Sequence, residues 1–184
     1  MFSKQRSLTI SLITIICGAY LLQLIIPSLQ EQLALFKGPY GDRGVAAGQW
    51  YRLFSVALTH GGLIHLGFNM LALHALGTPL EAVLGKGRYL AIFLISLFTG
   101  SYASIYFTTT DHISVGASGA IFGLFGAYIV LNKRIGESSR EIFMIIGLNF
   151  VLGFILGSVD WRAHLGGLIG GAIATAVISR ITRL

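Results

Sequence analysis

The sequence predicts an all-α polytopic membrane protein with six spanning helices, and three observations carry that prediction. Of 184 residues, 54% are hydrophobic and only 11% charged, where soluble domains average roughly 25% charged. The apolar residues fall in blocks at about 8–27, 53–77, 89–108, 115–132, 142–158 and 163–180, each near the ~20 residues that cross a bilayer. Glycine is abundant, 24 residues against 3 prolines, which in apolar helices means close approach of one backbone to another. An ordinary soluble globular domain is excluded. The longest polar stretch, an outer loop at about 28–52, is too short for a second domain, so residues 1–184 read as one.

The first block follows Lys4 and Arg6 as a signal peptide would, but its apolar run is too long for a cleaved core and no small-residue cleavage site follows. It reads as a retained helix. Cys17 lies within it behind the bulky Ile16, which argues against lipoprotein processing. As the single cysteine it leaves neither a disulfide framework nor a cysteine metal site. The second block carries His60, His65, Asn69 and His74. The fourth opens on Gly116-Ala117-Ser118-Gly119 and continues with Gly123 and Gly126. The sixth begins Ala163-His164-Leu165-Gly166-Gly167 and continues with Gly170 and Gly171.

Lys and Arg outnumber Asp and Glu 13 to 7, for a net charge of +6. No basic block or basic-aromatic surface accompanies the excess, so nucleic acid is not an expected partner. The charge sets topology instead. With the N-terminus inside, Lys4, Arg6, Lys86, Arg88, Lys133, Arg134, Arg140, Arg180 and Arg183 are cytoplasmic, and Lys37, Arg43, Arg52 and Arg162 lie across the membrane, nine against four. The basic excess of cytoplasmic segments then places both termini in the cytoplasm. The outer loop, the Thr-rich turn at 108–114 and the turn at 158–162 face outward.

Polar side chains in hydrocarbon cost several kcal/mol unless satisfied. His65 and Asn69 are four apart, on one helix face, with His60 near the outer end of the same helix. The bland reading is a set of interhelical hydrogen bonds that hold the bundle together. Ser118, flanked by small residues, leaves its hydroxyl open to close approach, although Gly119-x-x-x-Gly123 is also a packing seam. The glycines of the fourth and sixth helices are complementary, and their contact would bring Ser118 toward His164 just below the outer surface. A nucleophile, a base and side-chain donors for an oxyanion then share one place.

Trp50-Tyr51-Arg52, His60-x-x-x-x-His65-x-x-x-Asn69, Gly116-x-Ser118-Gly119 and Ala163-His164-x-x-Gly167, in this order and spacing, resemble the rhomboid family of intramembrane serine proteases. The resemblance covers residues 8–184. It implies a six-helix rhomboid core with a cavity open to the non-cytoplasmic side, Ser118 as nucleophile and His164 as general base, and an acyl-enzyme that water hydrolyses. It also implies that the Ser118 N–H, His65 and Asn69 hold the oxyanion. Gly116 fits the tight approach before the serine, Gly167 the close packing after the histidine, and Phe122 a ring stacked on the histidine. His60 resembles a structural hydrogen-bonding position, Trp50 and Arg52 anchors of the outer loop, and Glu81 a buried helix-end acid. Tyr51 separates Trp50 from Arg52, which are adjacent in many relatives. Neither a cytosolic domain before the first helix nor a seventh helix is expected, and His74 and His112 match no functional position.

The implied activity is cleavage of transmembrane or juxtamembrane segments of single-pass proteins in the lipid bilayer of a plasma membrane, without cofactor or metal. Asp160, four residues before His164, could reach it as a third triad member on geometry alone. The family resemblance argues against that role. An inactive rhomboid-like protein that binds membrane clients is the alternative; such proteins usually lack the serine or the histidine, and both are present. A His-lined channel or a His60–His65–His164 metal site lacks the expected carboxylates. The glycine seams are used within the chain and name no oligomer.

Overall fold

The computed structural model describes residues 7–108, 112–135, 144, 147 and 159–182. Lipid offers no partner to a backbone N–H or C=O, so an apolar stretch crosses a membrane as a helix. Four described helices are long and apolar enough to cross: α1 (Leu8–Ile25), α4 (Leu63–Leu84), α5 (Lys86–Phe107) and α7 (Trp161–Ile181). Between the last two stands α6 (Ser118–Ile135), apolar over Ser118–Leu131. Two short helices, α2 (Ser28–Leu33) and α3 (Arg52–Ser55), and 3-10 turns at Val45–Ala47 and Val56–Leu58 shape the outer loop and its exit. The chain is thus a multi-pass membrane protein, all-helical among its described residues apart from two isolated bridges. The expected span at 142–158 lies outside the described residues.

The second spanning helix departs from its expected bounds of 53–77, and the break has a local cause. The Gln23 side chain of α1 donates to the His60 carbonyl (2.7 Å) and accepts from the His60 N–H (3.2 Å). These backbone groups are satisfied without a helix, and Gly61 and Gly62 follow. His60 therefore sits in the turn before α4, not on it. At its other end α4 runs through Pro79, since a spanning helix tolerates a missing N–H there. It stops at Gly85, whose φ of +75° favours glycine. That residue alone joins α4 to α5.

Both ends of the bundle are pinned by polar contacts. At the end where α1 starts, the Glu81 carboxylate of α4 accepts from the Ser7 hydroxyl (2.7 Å), the Leu8 N–H (2.7 Å), the Thr9 N–H (2.9 Å) and the Thr9 hydroxyl (2.8 Å). It caps the free N–H groups of the start of α1 and complements its positive end. Glu81 stands at the helix end as the sequence reading expects but is half-buried, not buried, because it reaches to the start of α1 at the edge of the bundle. At the opposite end, Arg52 is buried and donates to the carbonyls of Glu31 and Ala34 and to the Gln49 amide oxygen. Its guanidinium lies 4.3 Å from the centre of the Phe36 ring. Trp50, expected to share this anchoring, is instead 62% exposed, since the acceptors at Glu31, Ala34 and Gln49 draw in Arg52, two residues on, and not the indole. Leu35 and Ser114 exchange two backbone hydrogen bonds of 3.0 and 2.8 Å, tying the outer loop to the α5–α6 connection.

α6 is the hub: every residue from 119 to 128 is buried. Its glycines allow this. A Cβ on Gly167 would collide with the Gly119 backbone, and one on Gly171 with that of Gly123. α7 thus lies backbone against backbone on α6, while Ala103 and Thr99 of α5 fill the spaces over Gly166 and Gly170.

Candidate active site

α6 begins at Ser118 because the chain turns sharply just before it. Gly116 has φ +112° and donates its N–H to the Val56 carbonyl at 3.0 Å. A Cβ there would be strained and would stand 2.9 Å from His65 Cε1. As the first residue of α6, Ser118 has a backbone N–H without an acceptor inside the helix, at the positive end of its dipole. Such a group is available to an anion.

The glycine seam brings α7 to the same level. His164 Nε2 lies 2.8 Å from Ser118 Oγ. The histidine is buried and the serine half-buried. The Phe122 ring, one turn along α6, stacks on the His164 ring at 4.0 Å between centroids and 11° between planes. With the proton on Nδ1, Nε2 can accept from the serine hydroxyl.

From α4, His65 and Asn69 line the same cavity, which measures about 780 Å³. The Asn69 amide donates to the His65 carbonyl at 2.9 Å, and its buried oxygen has no hydrogen-bond partner among the described residues. His65 Nδ1 faces the Gly61 N–H at 3.4 Å. Ser118, His164, His65, Asn69 and Phe122 are therefore brought together. The rest of the lining is mostly apolar, with Leu63, Ile64 and Phe68 of α4 forming one side.

His60 stands behind the site. It is fully buried, with its ring against the edges of Tyr20 (6.5 Å) and His65 (5.2 Å). Burial, and secondarily the neighbouring His65, push its pKa down to about 3, so it is neutral at ordinary pH. No hydrogen bond satisfies its ring nitrogens among the described residues. The hydrogen bonds at this position run through its backbone to Gln23.

Asp160 does not reach the His164 ring. It caps α7, accepting from the Ala163 N–H at 3.1 Å and from the Ser104 hydroxyl of α5. His112 Nε2 stands 3.7 Å from the same carboxylate, and His112 lines the cavity. His164 Nδ1 has no hydrogen-bond partner among the described residues. The sequence reading missed Gln23, Ser104 and the place of His112. Gln23 had a signal, a lone amide in an apolar block; Ser104 had none. His74 lies on the outer, exposed side of α4, away from these groups.

Comparison with known proteins identifies the family. The family model described as Rhomboid domain matches residues 47–181. The chain is 42% identical over 139 residues to Rhomboid protease GluP of Bacillus subtilis (strain 168), covering 73% of this chain and 27% of that protein. It is 38% identical over 154 residues to RHOMBOID-like protein 5 of Arabidopsis thaliana, covering 79% of this chain and 48% of that one. It is 34% identical over 138 residues to Rhomboid-type serine protease 2 of Emericella nidulans, covering 71% and 27%. The chain spans less than half the length of each of these three relatives.

Proposed function

Because the chain belongs to the rhomboid family, we propose that it is an intramembrane serine endopeptidase working through a Ser118–His164 dyad. The observation that carries this reading is the 2.8 Å contact between Ser118 Oγ and His164 Nε2, inside a cavity walled by spanning helices. Ser118 Oγ attacks the scissile carbonyl carbon while Nε2 takes its proton. Negative charge then grows on the carbonyl oxygen, where the Ser118 N–H and the side chains of His65 and Asn69 stabilise it. The intermediate collapses as His164 returns the proton to the leaving amine. Water, activated by the same histidine, releases the second product from the acyl-enzyme.

The substrates are single-pass membrane proteins cut in or beside their transmembrane segments. A helix hides its carbonyls in backbone hydrogen bonds, so the segment must unwind locally before Ser118 can attack. The excess of basic residues in the segments assigned to the cytoplasm, nine against four, supports a topology with both termini inside and the cavity mouth on the far side of a plasma membrane. Gly116 and Gly167 hold the approach of the three helices, and Phe122 holds the plane of the base. No cofactor enters the scheme.

The test is labelling of the detergent-purified protein with a fluorophosphonate, beside Ser118→Ala and His164→Ala, with the modified peptide located by mass spectrometry. The expected result is labelling of Ser118 that is lost in both variants while the helical circular dichroism is kept. A folded wild-type protein that is never labelled would turn the assignment toward a client-binding, inactive rhomboid.

A further inference from the structure

The acid of a Ser-His-Asp triad keeps the imidazole in its tautomer and orientation by bonding Nδ1. Here that nitrogen has no hydrogen-bond partner among the described residues, yet the ring is held parallel to Phe122 and in line with Ser118. Something else must fix where the ring stands. The contact between α6 and α7 sets how closely the helices approach, but at Gly167 on Gly119 and Gly171 on Gly123 it is backbone on backbone. At these two positions no side-chain knob stops one helix turning on the other. The side chains that do lodge in the packing, Ala103 and Thr99 of α5 against Gly166 and Gly170 and Ala172 against Gly126, all engage α7 beyond His164 and leave its first turn to be held by other means. His164 closes the first turn of α7, the part of a helix that frays most readily because the N–H groups before it lack intrahelical partners.

We propose that Asp160 is the positioning residue for His164, clamping the head of α7 to α5 and so aiming the imidazole at Ser118. This inference rests on the reading of His164 as the base. One carboxylate oxygen takes the Ala163 N–H and the other the Ser104 hydroxyl of α5, while the Asp160 carbonyl takes the His164 N–H at 3.1 Å. The backbone bond would be made by any residue at 160; what the carboxylate adds is the pair of bonds that joins the residue before His164 to α5. Asp160 and Ser104 are 9% and 3% exposed, so rotation of the helix head would leave a buried carboxylate without its donors, a costly state. The role does not require the carboxylate's charge to act on the imidazole. Asparagine preserves the clamp, since its oxygen can accept from Ala163 and its NH₂ can donate to the Ser104 oxygen.

The experiment measures fluorophosphonate labelling of Ser118 in the full chain, separating the maximal inactivation rate from the apparent affinity for the probe, for wild type, Asp160→Asn, Asp160→Ala and Ser104→Ala. Displacement of a reacting group by 1 Å costs about 100-fold. Asp160→Ala is therefore expected to lose about 30- to 100-fold in rate with unchanged probe affinity, and Ser104→Ala about 3- to 10-fold. Asp160→Asn, which keeps both hydrogen bonds of the clamp, should restore the rate to within about threefold. If Asp160→Ala does not fold, Ser104→Ala and Asp160→Asn carry the test. Wild-type rates in Asp160→Ala or in Ser104→Ala overturn the proposal. So does Asp160→Asn if it loses rate as Asp160→Ala does, because the charge, and not the hydrogen-bonded clamp, would then be what His164 needs. If wild type itself is not labelled at Ser118, it is the protease reading that fails.

Discussion

Replacing Gly167 with alanine tests the claim that the backbone seam between α6 and α7 sets the Ser118–His164 distance. The added Cβ would stand 2.8 Å from the Gly119 carbonyl carbon and 3.3 Å from its Cα, and nearer still to the carbonyl oxygen. Carbon atoms in contact keep about 3.5 Å or more, and both partners are backbone, so neither can swing aside. The helices must part by about 1 Å. Gly167 is one turn beyond His164 and Gly119 adjoins Ser118, so the parting falls on the 2.8 Å contact and stretches it well past the ~3.2 Å limit of a hydrogen bond. The acylation rate should drop on the order of 100-fold, with about 1–3 kcal/mol of overpacking. The assay is the rate of fluorophosphonate labelling beside the unfolding midpoint in detergent. Gly18→Ala and Gly87→Ala, whose Cβ atoms would meet nothing within 4 Å, serve as controls and should be neutral or stabilised by up to about 1 kcal/mol. Labelling of Gly167→Ala at the wild-type rate would refute the reasoning.

Two further outcomes are expected. Asn69→Ala should slow acylation by about 10- to 100-fold through loss of an oxyanion donor, read as a fall in the maximal labelling rate; an unchanged rate would remove Asn69 from the oxyanion site. The pKa of His60 is about 3 in the folded chain, below its ordinary value. The folded state therefore prefers the neutral ring, and the stability this confers is present above about pH 6.5 and lost as pH falls toward 3. The unfolding midpoint of the wild type should drop across that window more steeply than that of His60→Phe, and equal slopes would contradict the assignment.

How legible all this was depends on whether the deciding interaction is local. Block length alone places α1, α5 and α7 to within about three residues, because in lipid each helix must satisfy its own backbone. It fails for α4, where the apolar run from Leu53 continues across a turn. Hydropathy cannot register that Gln23, 37 residues earlier, holds the His60 backbone out of a helix. The glycine spacings on α6 and α7 were readable as a seam, since a missing side chain is visible in the sequence. Ser118 and His164, on either side of that seam, meet as the spacing suggests.

Asp160 marks the limit. Its position four residues before His164 fits two geometries: a carboxylate folded forward onto the next turn of the helix, or one turned back to cap the N–H groups of the first. Helix physics favours the second, because the start of α7 presents donors and a positive dipole end. The competing choice is closed by Ser104, 56 residues away in an apolar block with no motif around it. The sequence carries the capping preference; only the packing of α5 against α7 supplies the second donor that commits the carboxylate. A buried acid next to the histidine proposed as base need not act on its proton. When its oxygens are already occupied by a helix terminus and a neighbouring helix, what it can control is where the imidazole stands.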